Sequence, residues 1–208
     1  MVEIETHRTE TLTKRKERDI LRAATEAFLA QGYLAASMDE IATAAAVSKA
    51  TIYKHFGNKK ALFEAIIRGR VDALLSPSRL EAGTDLSAEE VLTAFARQYV
   101  DLVLQPSSLA LYRVVVFEAF NNEDLGRDSY RVGGAVAVRK VADFLAERTK
   151  AGELLVSDPA LAAEQFIGSL TGHLQLRALL GVEVDPPPKR REAFVASAVS
   201  AFLRAYRK

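Results

Sequence analysis

The sequence predicts an all-α protein of about nine or ten helices in two domains. Three observations carry this. Nearly every segment repeats its apolar residues at helical period, and no window shows the in–out alternation of a half-buried strand. Helix-start signals recur at helical spacing: Ser37 with Glu40, Ser87 with Glu90, and Asp158 followed by Pro159. Glycines 32, 152 and 181 stand where helices need to stop.

The elements follow in order. Residues 1–12 show no pattern and read as a flexible N-terminal arm. A first helix spans about Lys14 to Gln31, with Ile20, Ala24, Ala27 and Phe28 forming one apolar stripe before Gly32 closes it. The capping box of Ser37 and Glu40 opens a second helix. Ser48 caps a third and Asn58 a fourth, which ends near Pro77. The domain spans 13–76, and the Pro- and Gly-containing loop from Ser76 to Leu86 separates it from a second domain over 87–208. There, Ser87 starts a helix of about 18 residues, Pro106 starts another, and Asn121 to Gly126 form a turn. Arg127 to Lys150 is helical but interrupted at Gly133-Gly134, and periodicity does not decide between one helix and two. Asp158-Pro159 opens a helix to Leu180. Pro186 to Pro188 separate it from a last helix, about Lys189 to Tyr206.

Composition bounds the chemistry. The 208 residues are 49% hydrophobic and 26% charged, as in an ordinary globular chain. The absence of cysteine excludes disulfides, thiol catalysis and cysteine-based zinc sites. The longest apolar run is four residues, as at Val114 to Phe117, so no helical membrane span is expected. The N-terminus lacks the apolar core of a secretory signal, and a cytoplasmic location is expected. The net charge of +1 hides an asymmetry: residues 1–70 hold 12 Lys+Arg against 9 Asp+Glu, and the remainder 16 against 18. The positive excess gathers at Lys14 to Arg18 and at Lys49 to Lys60, where polyanion binding explains it.

Residues Ser37 to Leu62 hold the most informative pattern: two short helices joined by a tight turn, then the start of a third. Ile41, Ala42, Ala45 and Val47 supply one apolar side, and Ile52 with Phe56, one turn apart, supply the other. That directs Thr51, Tyr53, Lys54 and His55 outward, with Lys49 at the helix start. Four lysines and no acid lie between Ser48 and Lys60. Such a helix fits the major groove, and in a helix-turn-helix its N-terminal part reads base edges. The candidate DNA-binding residues are Ser37, Ser48, Lys49, Thr51, Tyr53, Lys54, His55, Lys59 and Lys60.

Residues 14–62 resemble the DNA-binding domain of the tetracycline-repressor (TetR) family of bacterial transcriptional regulators. The resemblance rests on Ile41-Ala42, Ala45, Val47-Ser48, Thr51-Ile52-Tyr53, Phe56, Lys59 and Leu62, with Phe28 and Gly32 upstream. It implies that the helix holding Thr51, Tyr53 and His55 is the recognition helix and that Lys59 touches the DNA backbone. Ala46 departs from the pattern, since the family usually has glycine there.

Tight, selective binding needs two such helices about 34–36 Å apart. In the last helix Phe194, Val195, Ala198, Val199, Phe202, Leu203 and Tyr206 cover half the circumference, and the helix from Asp158 to Leu180 is apolar nearly all round. A two-fold four-helix bundle follows, with Phe166, Leu170, Leu174, Val195, Val199, Phe202 and Tyr206 as its interface. The resemblance also implies an effector pocket in the second domain, for which Tyr112, Phe117, Phe120, Phe166, Leu170 and His173 are candidates, and hence a small apolar or amphipathic effector. The expected function is a repressor that binds palindromic double-stranded DNA as a homodimer and is released by that effector. The alternative is a non-sensing architectural DNA-binding protein. An enzyme is disfavoured, because His7, His55 and His173 have no carboxylate at ligand spacing and no HExxH, Walker A or GxGxxG pattern occurs. No cofactor, metal or membrane partner is expected.

Overall fold

The computed structural model describes residues 2–75 and 86–207, the first eleven of these by backbone alone. Among the described residues there are ten helices: α1 (Val2–Ala35), α2 (Met38–Ala44), α3 (Lys49–Phe56), α4 (Lys59–Leu75), α5 (Ala88–Leu104), α6 (Pro106–Ala119), α7 (Glu123–Val132), α8 (Gly134–Lys150), α9 (Pro159–Leu179) and α10 (Pro188–Tyr206). No strand occurs among them, only an isolated bridge between Leu154 and Arg207. No single helix is long and apolar enough to cross a membrane.

Local signals place most boundaries. Gly32 breaks α1 at φ 81°. The side chains of Ser37, Ser48, Ser87 and Asp158 each cap the helix that follows, and Asn58 Oδ1 accepts from Ala61 N–H at 2.8 Å. The box of Ser87 and Glu90 is complete, and the same hydrogen bonds hold the Glu90 carboxyl below its usual pKa. The other expected box does not form. Ser37 accepts from Asp39 N–H, and Glu40 instead takes Gln31 Nε2 at 2.9 Å. The break at Gly133 resolves the 127–150 region into two helices, and α7 already begins at Glu123, where Asn122 Oδ1 accepts from Leu125 N–H. The expected patternless arm is corrected too: α1 extends back to Val2. Residues 2–12 contain neither Gly nor Pro, so nothing stops the helix, although too few apolar residues lie there to draw a stripe. The loop boundary expected at 76–86 lies, up to residue 85, outside the described residues.

The chain forms two compact units that divide differently from the expected 13–76 and 87–208. The first joins Met1–Gly69 to Ala110–Ser129, and the second joins Arg70–Leu109 to Tyr130–Lys208. The divisions fall inside α4, α6 and α7, and a cut inside a continuous helix carries no loop signal in sequence.

In the first unit α1, α2, α3 and the start of α4 close around Ile20, Phe28, Ile41, Ile52, Leu62 and Phe63, joined by Leu111 and Leu125. Phe28, Tyr33 and Phe63 pack ring against ring, with centroids 5.1–5.7 Å apart. Burial pushes the Tyr33 phenol pKa up. In the second unit α9 packs against α8, α5 and α10, burying Leu92, Phe144, Leu145, Phe166, Leu170 and Val199. Gly172, at φ 23° and ψ −123°, breaks α9 internally, a bend that its sequence pattern does not announce.

The turn between α2 and α3 is a Schellman motif. Val47 N–H reaches Ala42 O at 3.0 Å and Ala46 N–H reaches Thr43 O at 3.1 Å. Its pivot, Ala46, sits at φ 53°, the only non-glycine residue at positive φ among those described. A left-handed conformation costs a Cβ-bearing residue about 1–2 kcal/mol, and glycine loses about 0.5–1 kcal/mol in chain entropy. Ala46→Gly is therefore expected to stabilise the protein by about 0.5–1 kcal/mol, read as a higher denaturant midpoint at unchanged slope. A lower midpoint would show that the strain is relieved elsewhere.

Candidate nucleic-acid interface

The recognition surface is the outward edge of α3. Ile52 is fully buried and anchors the helix. At 3.6 residues per turn, Lys54 points about 160° away from Ile52 and Tyr53 about 100° away. Accordingly Tyr53 is 42% exposed. Lys54 is exposed and makes no ion pair among the described residues. Lys14, Arg15, Lys16 and Arg18 on α1 are exposed as well.

The other candidates already have work within the fold. Lys49 is exposed but lies 2.8 Å from Asp39 Oδ2, a hydrogen bond that raises its pKa. Ser48 Oγ accepts from Thr51 N–H and lies 2.8 Å from Thr51 Oγ1, so these two hydroxyls serve the start of α3. Ser37 caps α2. The expected outward placement of His55 is corrected. Its ring is partly buried, with Nδ1 3.2 Å from Glu17 Oε1 on α1. The reason is angular: His55 lies about 60° from Ile52 around the helix, on the flank of the buried side.

Lys59 and Lys60 are also engaged within the fold. Lys59 Nζ donates to Leu34 O at 2.9 Å and stands 4.9 Å above the Tyr33 ring centroid, and desolvation lowers its pKa. Lys60 pairs with Asp128, whose hydrogen bond raises the lysine pKa. Spacing showed that these lysines follow the recognition helix, but their acceptors lie far away in sequence, Leu34 O 25 positions before Lys59 and Asp128 well beyond α4. Glu118 and Asp128 were missed. The available signal was a lone acid directly after the apolar run Val114 to Phe117.

The interface residues expected for a dimer are corrected. Phe166, Leu170, Leu174, Val195, Val199 and Phe202 are all under 10% exposed within one chain, and the Phe202 ring packs at a tilt against both Phe166 and Tyr206. They form the core of the second unit, with partly buried Tyr206 packed against it. A wide apolar circumference was read as two interfaces, whereas α5 and α8 cover it within the chain. On α9 and at its C-cap the exposed residues instead include Leu161, Leu176 and Leu180, 47–70% exposed, with exposed Gly168, Ser169 and Gly172 between them in sequence. On α10 the exposed residues include Ala193, Ala196, Ser197, Ser200 and Ala201.

The candidate effector residues are divided between the two units. Tyr112, Phe117 and Phe120 belong to the first unit and are 47%, 71% and 90% exposed. Phe166 and Leu170 are packed core of the second unit, and His173 is exposed there. Helical spacing fixes which residues share a face, not whether that face is covered.

Comparison with known proteins accounts for this arrangement. Residues 20–66 match the family described as bacterial regulatory proteins, tetR family, and residues 90–208 match the C-terminal domain described as AefR-like transcriptional repressor. The transcriptional activator FasR of Mycolicibacterium smegmatis is 40% identical over 84 residues, which is 40% of this chain and 38% of that protein. The transcriptional regulator SrpR of Pseudomonas putida is 26% identical over 156 residues, covering 74% and 71%. A structure described as a TetR-family regulator from Mesorhizobium loti superposes at TM-score 0.80, with 29% identity and coverage of 94% and 98%. The flavonoid-responsive regulator FrrA superposes at 0.72, with 35% identity and coverage of 93% and 98%.

Proposed function

The chain belongs to the tetR family of bacterial regulatory proteins, DNA-binding transcriptional regulators rather than enzymes, and from that premise we propose that it represses transcription by gripping a palindromic operator as a homodimer until a small effector releases it. The observation that carries the reading is the outward edge of α3, where Tyr53 and Lys54 stand clear of the fold on a helix anchored by Ile52. Lys14, Arg15, Lys16 and Arg18 extend the cationic surface along α1, to which Glu17 ties the recognition helix through His55.

One helix of eight residues supplies few contacts, so selectivity needs a second copy. The exposed residues of α9 and its C-cap, leucines near both ends and small residues between them, suit a close approach to a symmetry mate, together with the exposed small residues of α10. Repression is supported by the repressor description of the matching C-terminal domain. An apolar or amphipathic effector is supported by the likeness to a flavonoid-responsive regulator.

The test is a gel-shift titration of a palindrome, selected from genomic fragments, against random duplex at equal salt. Selective binding is expected, and equal affinity for both duplexes would mark an architectural protein instead. If each protomer neutralises about four phosphates, log affinity should fall with log salt at a slope of about −7. A slope near zero would remove the electrostatic basis of the reading.

A further inference from the structure

The reading surface is held from behind by two carboxylates that lie far away in sequence. Glu118, near the end of α6, is 2% exposed and is the one charged residue in the buried set among the described residues. Its Oε1 accepts the Leu34 N–H at 3.2 Å. Its Oε2 is buried with no hydrogen-bond partner among the described residues. A buried carboxylate satisfied on one side only is unfavourable, and an apolar side chain of similar volume would pack there at lower cost. Packing alone therefore does not account for an acid at this position. What the acid does is fix Leu34, whose carbonyl in turn accepts from Lys59 Nζ.

Asp128, on α7, makes the second hold through its ion pair with Lys60. Lys59 and Lys60 are the first two residues of α4, directly after the Asn58 cap and just past Gly57, where the recognition helix ends at φ 80°. Both holds thus meet at the corner between α3 and α4. They also come from one piece. Gly126 lets α7 pack so closely on α6 that a Cβ there would lie 2.6 Å from Ala119 Cβ. Glu118 and Asp128 are carried together by residues 110–129 of the first unit.

We propose that Glu118 and Asp128 are positioning residues that set the pose of the recognition helix, and that Lys60 serves this linkage rather than contacting phosphate. The inference rests on the operator-binding reading above. Charge and geometry make opposite predictions. Asp128→Asn and Glu118→Met each remove a negative charge from a DNA-binding unit, so electrostatics alone calls for tighter binding. Loss of positioning calls for weaker binding, by about 3- to 10-fold.

The experiment titrates the full-length parent and its Asp128→Asn, Glu118→Met, Glu118→Gln and Lys60→Ala variants against the selected palindrome and random duplex over a salt series. Asp128→Asn and Glu118→Met are expected to weaken palindrome binding at an unchanged salt slope. Glu118→Gln, which keeps an acceptor for Leu34 N–H, is expected to stay within about twofold of the parent. Lys60→Ala is expected to weaken binding without flattening the slope. Parent-like or tighter binding by Asp128→Asn overturns the proposal, as does a slope flattened by about one per protomer in Lys60→Ala, the signature of a lost phosphate contact. Circular dichroism and thermal unfolding accompany each variant. If Glu118→Met does not fold, the partly exposed pair Asp128 and Lys60 still decides the question. A parent that fails to distinguish palindrome from random duplex overturns the operator reading itself, a separate result.

Discussion

Replacing Leu176 and Leu180 together by arginine is expected to leave a folded monomer that binds the operator at least about 100-fold more weakly than the parent. Both side chains stand at the C-terminal end of α9, Leu180 as its cap, 47% and 70% exposed, so the fold within one chain loses little apolar contact. In the proposed dimer they meet their symmetry mates across the two-fold axis. Four added guanidinium groups in an apolar contact have no acceptors and repel one another. Once the protomers part, the second recognition helix no longer binds as an intramolecular event, and the loss follows from the effective concentration that linkage had supplied. Sedimentation should show the monomer at micromolar concentration, with circular dichroism unchanged. A persistent dimer would move the interface elsewhere. Phe166→Ala is the contrasting substitution: it opens a cavity in the second unit's core and should cost about 3–5 kcal/mol of stability rather than act on assembly.

This contrast shows what could be read in the sequence and what could not. Helix starts were legible because their chemistry is local. Ser48 and Asn58 cap through hydrogen bonds to residues three positions on, and that spacing is visible in the chain itself. The inward side of α3 was legible for the same reason, since Ile52 and Phe56 are one turn apart. Partnering across the fold was not. Phe166 and Phe202 look alike whether their faces meet another helix of the same chain or a second copy, and only the tertiary arrangement assigns them to the core. Lys59 and Lys60 looked like free cations because Leu34 O and Asp128 are brought to them by the packing of α1 and α7. Ala46 was noticed as a departure from a pattern, but its left-handed backbone belongs to the turn, whose two closing hydrogen bonds are backbone to backbone and leave no mark in the side-chain sequence.

The sorting of the cations also decides which substitution at the reading edge should matter most. Tyr53→Ala is expected to weaken operator binding by about 30-fold, while thermal stability stays near that of the parent. Tyr53 is 42% exposed and belongs to neither apolar cluster, so its removal opens no cavity. Its ring and hydroxyl together suit one sugar–phosphate contact worth about 1 kcal/mol, and the two symmetric copies add, being far apart. Because the side chain is neutral, affinity should fall by the same factor at every salt concentration, leaving the log–log slope untouched. Lys54→Ala should behave differently and flatten the slope by about one for each protomer, since it removes an exposed charge that pairs with no carboxylate among the described residues. Lys59→Ala makes a third pattern. Its ammonium is partly desolvated between the Tyr33 ring and Leu34 O, so the loss should register in the unfolding midpoint, with no change in slope. Gel-shift titrations over a salt series, run beside thermal unfolding, separate the three. If Tyr53→Ala bound as tightly as the parent, the edge of α3 would not face the groove, and the assignment of the reading surface would fall with it.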